Sequence, residues 1–207
     1  MNVVVLVSGG GTNLQAIIDQ VNEGVMPHVN LVKVISSASE AYACRRAENN
    51  HIPFCVISRK TFANMQAYDE AMLTELTDSS ADLVVLAGFL SLLGPKVVSA
   101  FSNRIINIHP SLIPSFCGKG MYGIRPHEAA LARGVKVSGA TVHFVNEYYD
   151  EGPILLQKSI EIDENDTPQS LQKRIMLTCE QEILPRAIQL IADNKVTIEN
   201  NRAFITK

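Results

Sequence analysis

Asn107 and His109 stand two residues apart in Ile105-Ile-Asn-Ile-His109, directly before Pro110. Side chains in a strand repeat every two residues, so an amide and a titratable imidazole would share one face. In an open parallel sheet they would lie at the carboxyl end of the strand, where such sheets form their ligand crevice. The pair suits attack on a carbonyl carbon. The amide can donate to a developing oxyanion while the imidazole handles a proton. The alternative is structural, with two polar side chains capping a strand end.

A second constellation is Ser8-Gly9-Gly10-Gly11-Thr12-Asn13-Leu14, between an apolar run and a helical pattern. Glycines let the backbone turn sharply and expose N–H groups, and the following helix start favours an anion, so the loop reads as a phosphate seat. It lacks the lysine of a P-loop and does not match GxGxxG; a tight turn capped by Thr12 is the alternative. Thr141 and His143 alternate on a further strand pattern, and Glu147, Asp150 and Glu151 cluster in the loop that follows. A carboxylate near an imidazole raises its pKa above about 6.5. Acidic turns are commonly only solvated, and taken alone these residues read that way. Tyr148-Tyr149 reads as loop anchoring or packing. His28, His51 and His127 have no metal-ligand spacing to one another or to Cys44, Cys55, Cys117 and Cys179, and neither HxxxH nor GxSxG occurs. Metal-assisted and serine-nucleophile chemistry lack support, so no metal is expected.

These residues need a frame. Asn2–Val7, Leu31–Ile35, Phe54–Ile57, Leu83–Leu86 and Ile105–His109 read as strands. They alternate with helical patterns over Asn13–Glu23, Glu40–Asn49, Phe62–Leu76 and Pro95–Phe101, which predicts βαβ units. After a loop over Ser115–Pro126 and a helix over Pro126–Arg133, Lys136–Val145 and Ile154–Ile162 read as an antiparallel pair. One long helix is predicted from Asp166-Thr167-Pro168 to about Ala192, kinked at Pro185, and then a hairpin around Asn200-Asn201. The expected fold class is α/β: a Rossmann-like open sheet, parallel in the N-terminal half, with antiparallel strands added in the C-terminal half. The 207 residues carry a net charge of −3, which argues against a nucleic-acid coat or a polybasic membrane binder. Tryptophan is absent, which weighs against a stacking platform for single strands. With no basic leader, no long apolar span and dispersed cysteines, a cytoplasmic protein with reduced thiols is expected, as a monomer or homodimer with no nucleic-acid or membrane partner.

Asn107-Ile-His-Pro-Ser-Leu-Ile-Pro114 resembles the signature of the phosphoribosylglycinamide formyltransferase family. The resemblance extends to the opening VVVLVSGGGTNLQ, to LVVLAGFLSLL at 83–93 and to SGATVHFVNEYYDEGPILLQ at 138–157, in the family's order. It implies a single formyltransferase domain over 1–207, with a phosphate-binding half (1–100) and a catalytic and folate-pocket half (101–207). It also implies formyl transfer from 10-formyltetrahydrofolate to the glycine amine of 5-phosphoribosylglycinamide in purine synthesis. Carried over by motif, Asn107, His109 and Asp150 are catalytic, with Asp150 raising the His109 pKa. Gly11, Thr12 and Asn13 hold the substrate phosphate, and Glu180 contacts the glycinamide. Leu90, Ser91, Leu92 and Leu93, with Asn146 and Asp150, line the folate pocket.

The chain departs from the family in three places. Met65 and Ser91 stand where family members often carry arginine, and Arg59 or Lys60 is the candidate replacement on the folate side. The loop 116–126 is longer than in short members and is read as a lid against water. A formyltetrahydrofolate hydrolase and a methionyl-tRNA formyltransferase share the catalytic trio. They normally add an N-terminal and a C-terminal domain, respectively, for which the expected domain leaves no room, and the negative charge disfavours tRNA. A non-catalytic nucleotide-binding module would leave the Asn107/His109 spacing unexplained.

Overall fold

The run Asn2–Val7 forms strand β1, and Val3 to Val7 are completely buried. An apolar run without alternation is what a parallel strand covered on both faces requires. The computed structural model describes residues 1–206. It divides into two compact units, the first over Met1–Ile106 and the second from Asn107 onward.

In the first unit, β1 is flanked by β2 (Asn30–Ser36) and β4 (Leu83–Leu86), and β3 (Phe54–Val56) pairs with β2. All three pairings are parallel, giving the order β3-β2-β1-β4. Parallel neighbours need crossovers, and α1 (Thr12–Asn22), α2 (Tyr42–Asn49) and α3 (Met65–Asp78) supply them. The third helix starts later than its apolar spacing predicts. Asn64 caps it by accepting from the Ala67 N–H at 2.8 Å, while Arg59–Thr61 forms a separate 3₁₀ turn. Asp69, buried on α3, accepts from the Lys96 and Val97 N–H groups and so fixes the start of α4 (Pro95–Ala100).

The second unit is built on the last three residues of β5 (Ile105–His109), β6 (Val137–Phe144) and β7 (Ile154–Glu161), with β6 in the middle and antiparallel to β7. Helix α5 (Arg125–Arg133) ends at Gly134 in the left-handed conformation. Thr167 and Ser170 form a reciprocal cap on α6 (Pro168–Ile175).

The predicted continuous helix is interrupted. Met176–Glu180 adopts π geometry before α7 (Gln181–Ala192), so the irregularity falls one turn before Pro185 rather than at it. Strands β8 (Val196–Glu199) and β9 (Arg202–Ile205) form the expected hairpin. Asn200 and Asn201 both have positive φ, as a mirror-image turn demands.

Among the described residues no helix is long and apolar enough to cross a membrane.

Candidate active site

In the second unit, the end of β5 presents Asn107 and His109, and β6 beside it presents Thr141 and His143. His109, Thr141 and His143 are all buried. The Asn107 Nδ2 lies 3.1 Å from His143 Nε2, and His143 Nδ1 lies 2.9 Å from the Phe144 carbonyl oxygen. A carbonyl only accepts, so Nδ1 carries a hydrogen, and Nε2 is the ring nitrogen that faces Asn107. The Asn107 amide stands with its nitrogen towards His143. Its NH₂ group has a second hydrogen that can serve a reacting oxygen.

The same logic fixes His109. Its Nε2 donates to the Phe116 carbonyl at 3.0 Å, so Nδ1 is the nitrogen that faces Asp150, 3.7 Å from Oδ2. Oδ1 of Asp150 is 3.4 Å from His143 Nε2, and Oδ2 accepts the Gly118 N–H at 2.8 Å. One carboxylate therefore stands against both imidazoles. Burial pushes the Asp150 carboxyl up, but the His143 and His109 rings and the Gly118 amide outweigh it and hold the pKa below the usual carboxylate value.

The expected rise in the His109 pKa is corrected here. Burial lowers it more than Asp150 and the Phe116 carbonyl raise it, and His143 lowers it further, so the net shift is downward. A ring that is 4% exposed loses most of its hydration, and a carboxylate at 3.7 Å without a tight hydrogen bond does not replace it.

Local backbone chemistry explains how the turn holds Asp150. Phe116 and Asp150 are non-glycine residues at φ 52° and 56°, a left-handed conformation that costs on the order of 1–3 kcal/mol and clusters at functional sites. A Cβ at Gly152 would meet the Phe144 carbonyl oxygen at 1.8 Å, so only glycine lets the 150–153 turn approach β6. That same carbonyl accepts from His143. Thr141 is structural: its hydroxyl donates to the Ser111 carbonyl at 2.7 Å and accepts from the Ile113 and Gln157 N–H groups, pinning the chain after His109.

Other site candidates fall where their elements carry them. Glu180 is buried at the end of the π turn, a geometry frequent at functional positions. The Asn146 side chain accepts from the Tyr148 N–H within its own loop. Tyr148 and Tyr149 are exposed, and Tyr149 lines an open cleft of about 790 Å³ with Asp150, Gly118 and Arg202.

In the first unit Gly11 is the N-cap of α1 at φ 70° and no side chain caps the helix, so Thr12 is the first helical residue and not a cap. A Cβ at Gly11 would lie 2.7 Å from the Ala43 Cβ. Asn13 is buried. Leu90 and Leu92 are exposed, Ser91 is half-buried and Leu93 is buried. Arg59 bonds to the Phe62 carbonyl.

The residue that sequence reasoning underweighted is His143. Its alternation with Thr141 was the available signal; what that signal lacked was the pairing of β6 beside β5. The Phe116 carbonyl and Gly118 N–H carry no sequence signal, because they are backbone groups.

Comparison with known proteins places this fold, with its polar network at the carboxyl end of β5, in the formyl transferase class of group-transfer enzymes. The model of the "Formyl transferase" family matches residues 1–188. The chain is 38% identical to the phosphoribosylglycinamide formyltransferase of Haemophilus influenzae over 98% of its length and 92% of that protein. It is 40% identical to the trifunctional purine biosynthetic protein adenosine-3 of Bos taurus over 96% of its length, and spans 19% of that longer relative. The crystal structure of glycinamide ribonucleotide transformylase 1 from Symbiobacterium toebii superposes with a TM-score of 0.94 at 40% identity, covering 100% of this chain and 94% of that one. The chain belongs to the phosphoribosylglycinamide formyltransferase family, and its mixed sheet is the formyltransferase fold.

Proposed function

We propose that this chain transfers the formyl group of 10-formyltetrahydrofolate to the glycine amine of 5-phosphoribosylglycinamide, a step of de novo purine synthesis. The observation that carries this assignment is the continuous network Asn107–His143–Asp150–His109. Bound folate supplies the formyl group; the chain supplies orientation, charge and proton handling. The second N–H of Asn107 donates to the oxygen that gains charge as the amine adds, an interaction whose loss typically costs about 10²–10³ in rate.

With its pKa lowered, His109 rests neutral near pH 7 and can accept a proton at Nδ1. Asp150 stabilises the resulting imidazolium, and the proton is then returned to the departing nitrogen. Gly11, Thr12 and Asn13 seat the substrate phosphate at the start of α1, where N–H groups and the helix dipole favour an anion. Glu180 faces the glycinamide. The folate contacts assigned by motif are Leu90, Ser91, Leu92 and Leu93, of which Leu90 and Leu92 have exposed side chains, and separately Asn146 and Asp150.

The test follows folate absorbance with and without 5-phosphoribosylglycinamide. Turnover only in its presence is expected. Equal turnover in both conditions would assign water as the acceptor and overturn the proposal.

A further inference from the structure

Ser8 is half-buried at the exit of β1, immediately before the three glycines. Its hydroxyl lies 2.6 Å from the Ser37 hydroxyl, at the exit of β2, and accepts the Leu90 N–H at 2.8 Å, beyond the exit of β4. A hydroxyl has one donor and two acceptor positions, so both contacts can form at once. The glycine loop is held on its other side by the Ala43 N–H on the Gly9 carbonyl and by Arg46 Nε on the Gly10 carbonyl. Gly9 and Gly10 have open space where a Cβ would stand, so at these two residues polar ties, rather than packing, set the path of the loop, and packing against Ala43 begins only at Gly11. The same holds for the opposite segment. Leu90 and Leu92 are exposed at 63% and 56%, so the start of this segment is held by the Leu90 amide and its end by the buried Leu93.

We propose that Ser8 is a positioning residue that couples the two ligand segments, so that ordering the glycine loop on a phosphate raises affinity for folate at Leu90–Leu93, and the reverse. The inference rests on the assignment of those two segments under Proposed function. A hydrogen bond shared by two segments gives each ligand a differential contact in the state that favours the other. Linkage then makes the effect reciprocal. Ser37 takes part by holding the Ser8 hydroxyl towards Leu90.

The experiment measures the dissociation constant of 5-phosphoribosylglycinamide by calorimetry, without and with saturating 10-deaza folate analogue that cannot transfer formyl. The wild-type chain should bind about tenfold more tightly in the presence of the analogue. In Ser8→Ala the ratio should fall to within about threefold of unity, as loss of one hydrogen bond predicts, and Ser8→Thr, which keeps the hydroxyl, should restore most of it. Ser37→Ala should lower the ratio partially, and it serves as the deciding variant if Ser8→Ala does not fold. A merely structural role would change melting temperature or both affinities together while leaving their ratio unchanged. Absence of synergy in the wild type, or full synergy in both Ser8→Ala and Ser37→Ala, overturns the coupling. Failure of the wild type to bind either ligand would instead overturn the parent assignment.

Discussion

Asp150 Oδ2 lies 3.7 Å from His109 Nδ1, and yet the His109 pKa lies below its ordinary value of 6.5. Burial of an imidazole and a nearby carboxylate act in opposite directions, and both effects reach several units in buried sites. Here burial wins. The carboxylate therefore does not keep His109 charged at rest. It limits how far the pKa falls and receives the imidazolium when a proton arrives.

Asp150→Asn tests that division. The substitution removes the charge that raises the His109 pKa and leaves burial in place, so the pKa falls further. The acid limb of kcat/KM set by His109 should move to lower pH, while kcat drops by about 10² or more because the imidazolium loses its partner. A pH profile of the variant checks both. An acid limb that stays where it was would defeat the role assigned to Asp150.

Gly152→Ala addresses how the turn is built. Its new Cβ would collide with the Phe144 carbonyl oxygen at 1.8 Å, so the turn must move away from β6. That displacement separates Asp150 from His143 and His109 together. The expected loss is about 2 kcal/mol or more in stability, in line with backbone overpacking, and a fall in kcat larger than stability alone explains. Urea unfolding and kcat on the remaining folded fraction measure the two effects.

Much of this frame was legible in residues. β1 and β4 could be placed because Asn2–Val7 and Leu83–Leu86 are apolar runs, and β5 because Ile105–His109 is isoleucine-rich with polar residues at every second position before Pro110; those boundaries agree with the structure. Asn107 and His109 shared a face because a strand repeats every two residues. Two things were not legible. The sign of the His109 shift depends on how much water the fold removes, which no spacing encodes. The His143 contribution depends on β6 lying beside β5 and on the Phe144 carbonyl choosing its tautomer, and both are tertiary facts. The π turn at Met176–Glu180 is a third case. Pro185 announced an irregularity, but where it falls depends on packing around the preceding turn.

Gly11→Ala probes the first unit. At φ 70° an alanine is strained, and its Cβ would sit 2.7 Å from the Ala43 Cβ, so the start of α1 must shift relative to α2. If this helix start seats the phosphate, KM for 5-phosphoribosylglycinamide should rise by about tenfold or more. KM for the folate should change less, and kcat least of all. Steady-state kinetics in each substrate separate the three. An unchanged KM for the phosphorylated substrate would refute the seat.

His127 on α5 is fully buried, and neither ring nitrogen meets a hydrogen-bond partner among the described residues. Burial, and then the proximity of His109, push its pKa down to about 4, against an unperturbed 6.5. Between those values the unfolded chain binds a proton that the native chain does not. Stability is therefore complete above about pH 6.5, falls as pH drops towards 4 and levels off below. The gap corresponds to up to about 3 kcal/mol. His109 shifts in the same direction and adds to the fall. His127→Leu removes both the titration and the two unpaired nitrogens, so stability at pH 7 should be equal or higher. Its loss between pH 7 and pH 4.5 should be smaller than that of the wild type, with the remainder owed to His109 and the carboxylates. Urea unfolding of both proteins at the two pH values measures the difference. A variant that loses as much stability as the wild type would remove His127 from the acid sensitivity of this fold.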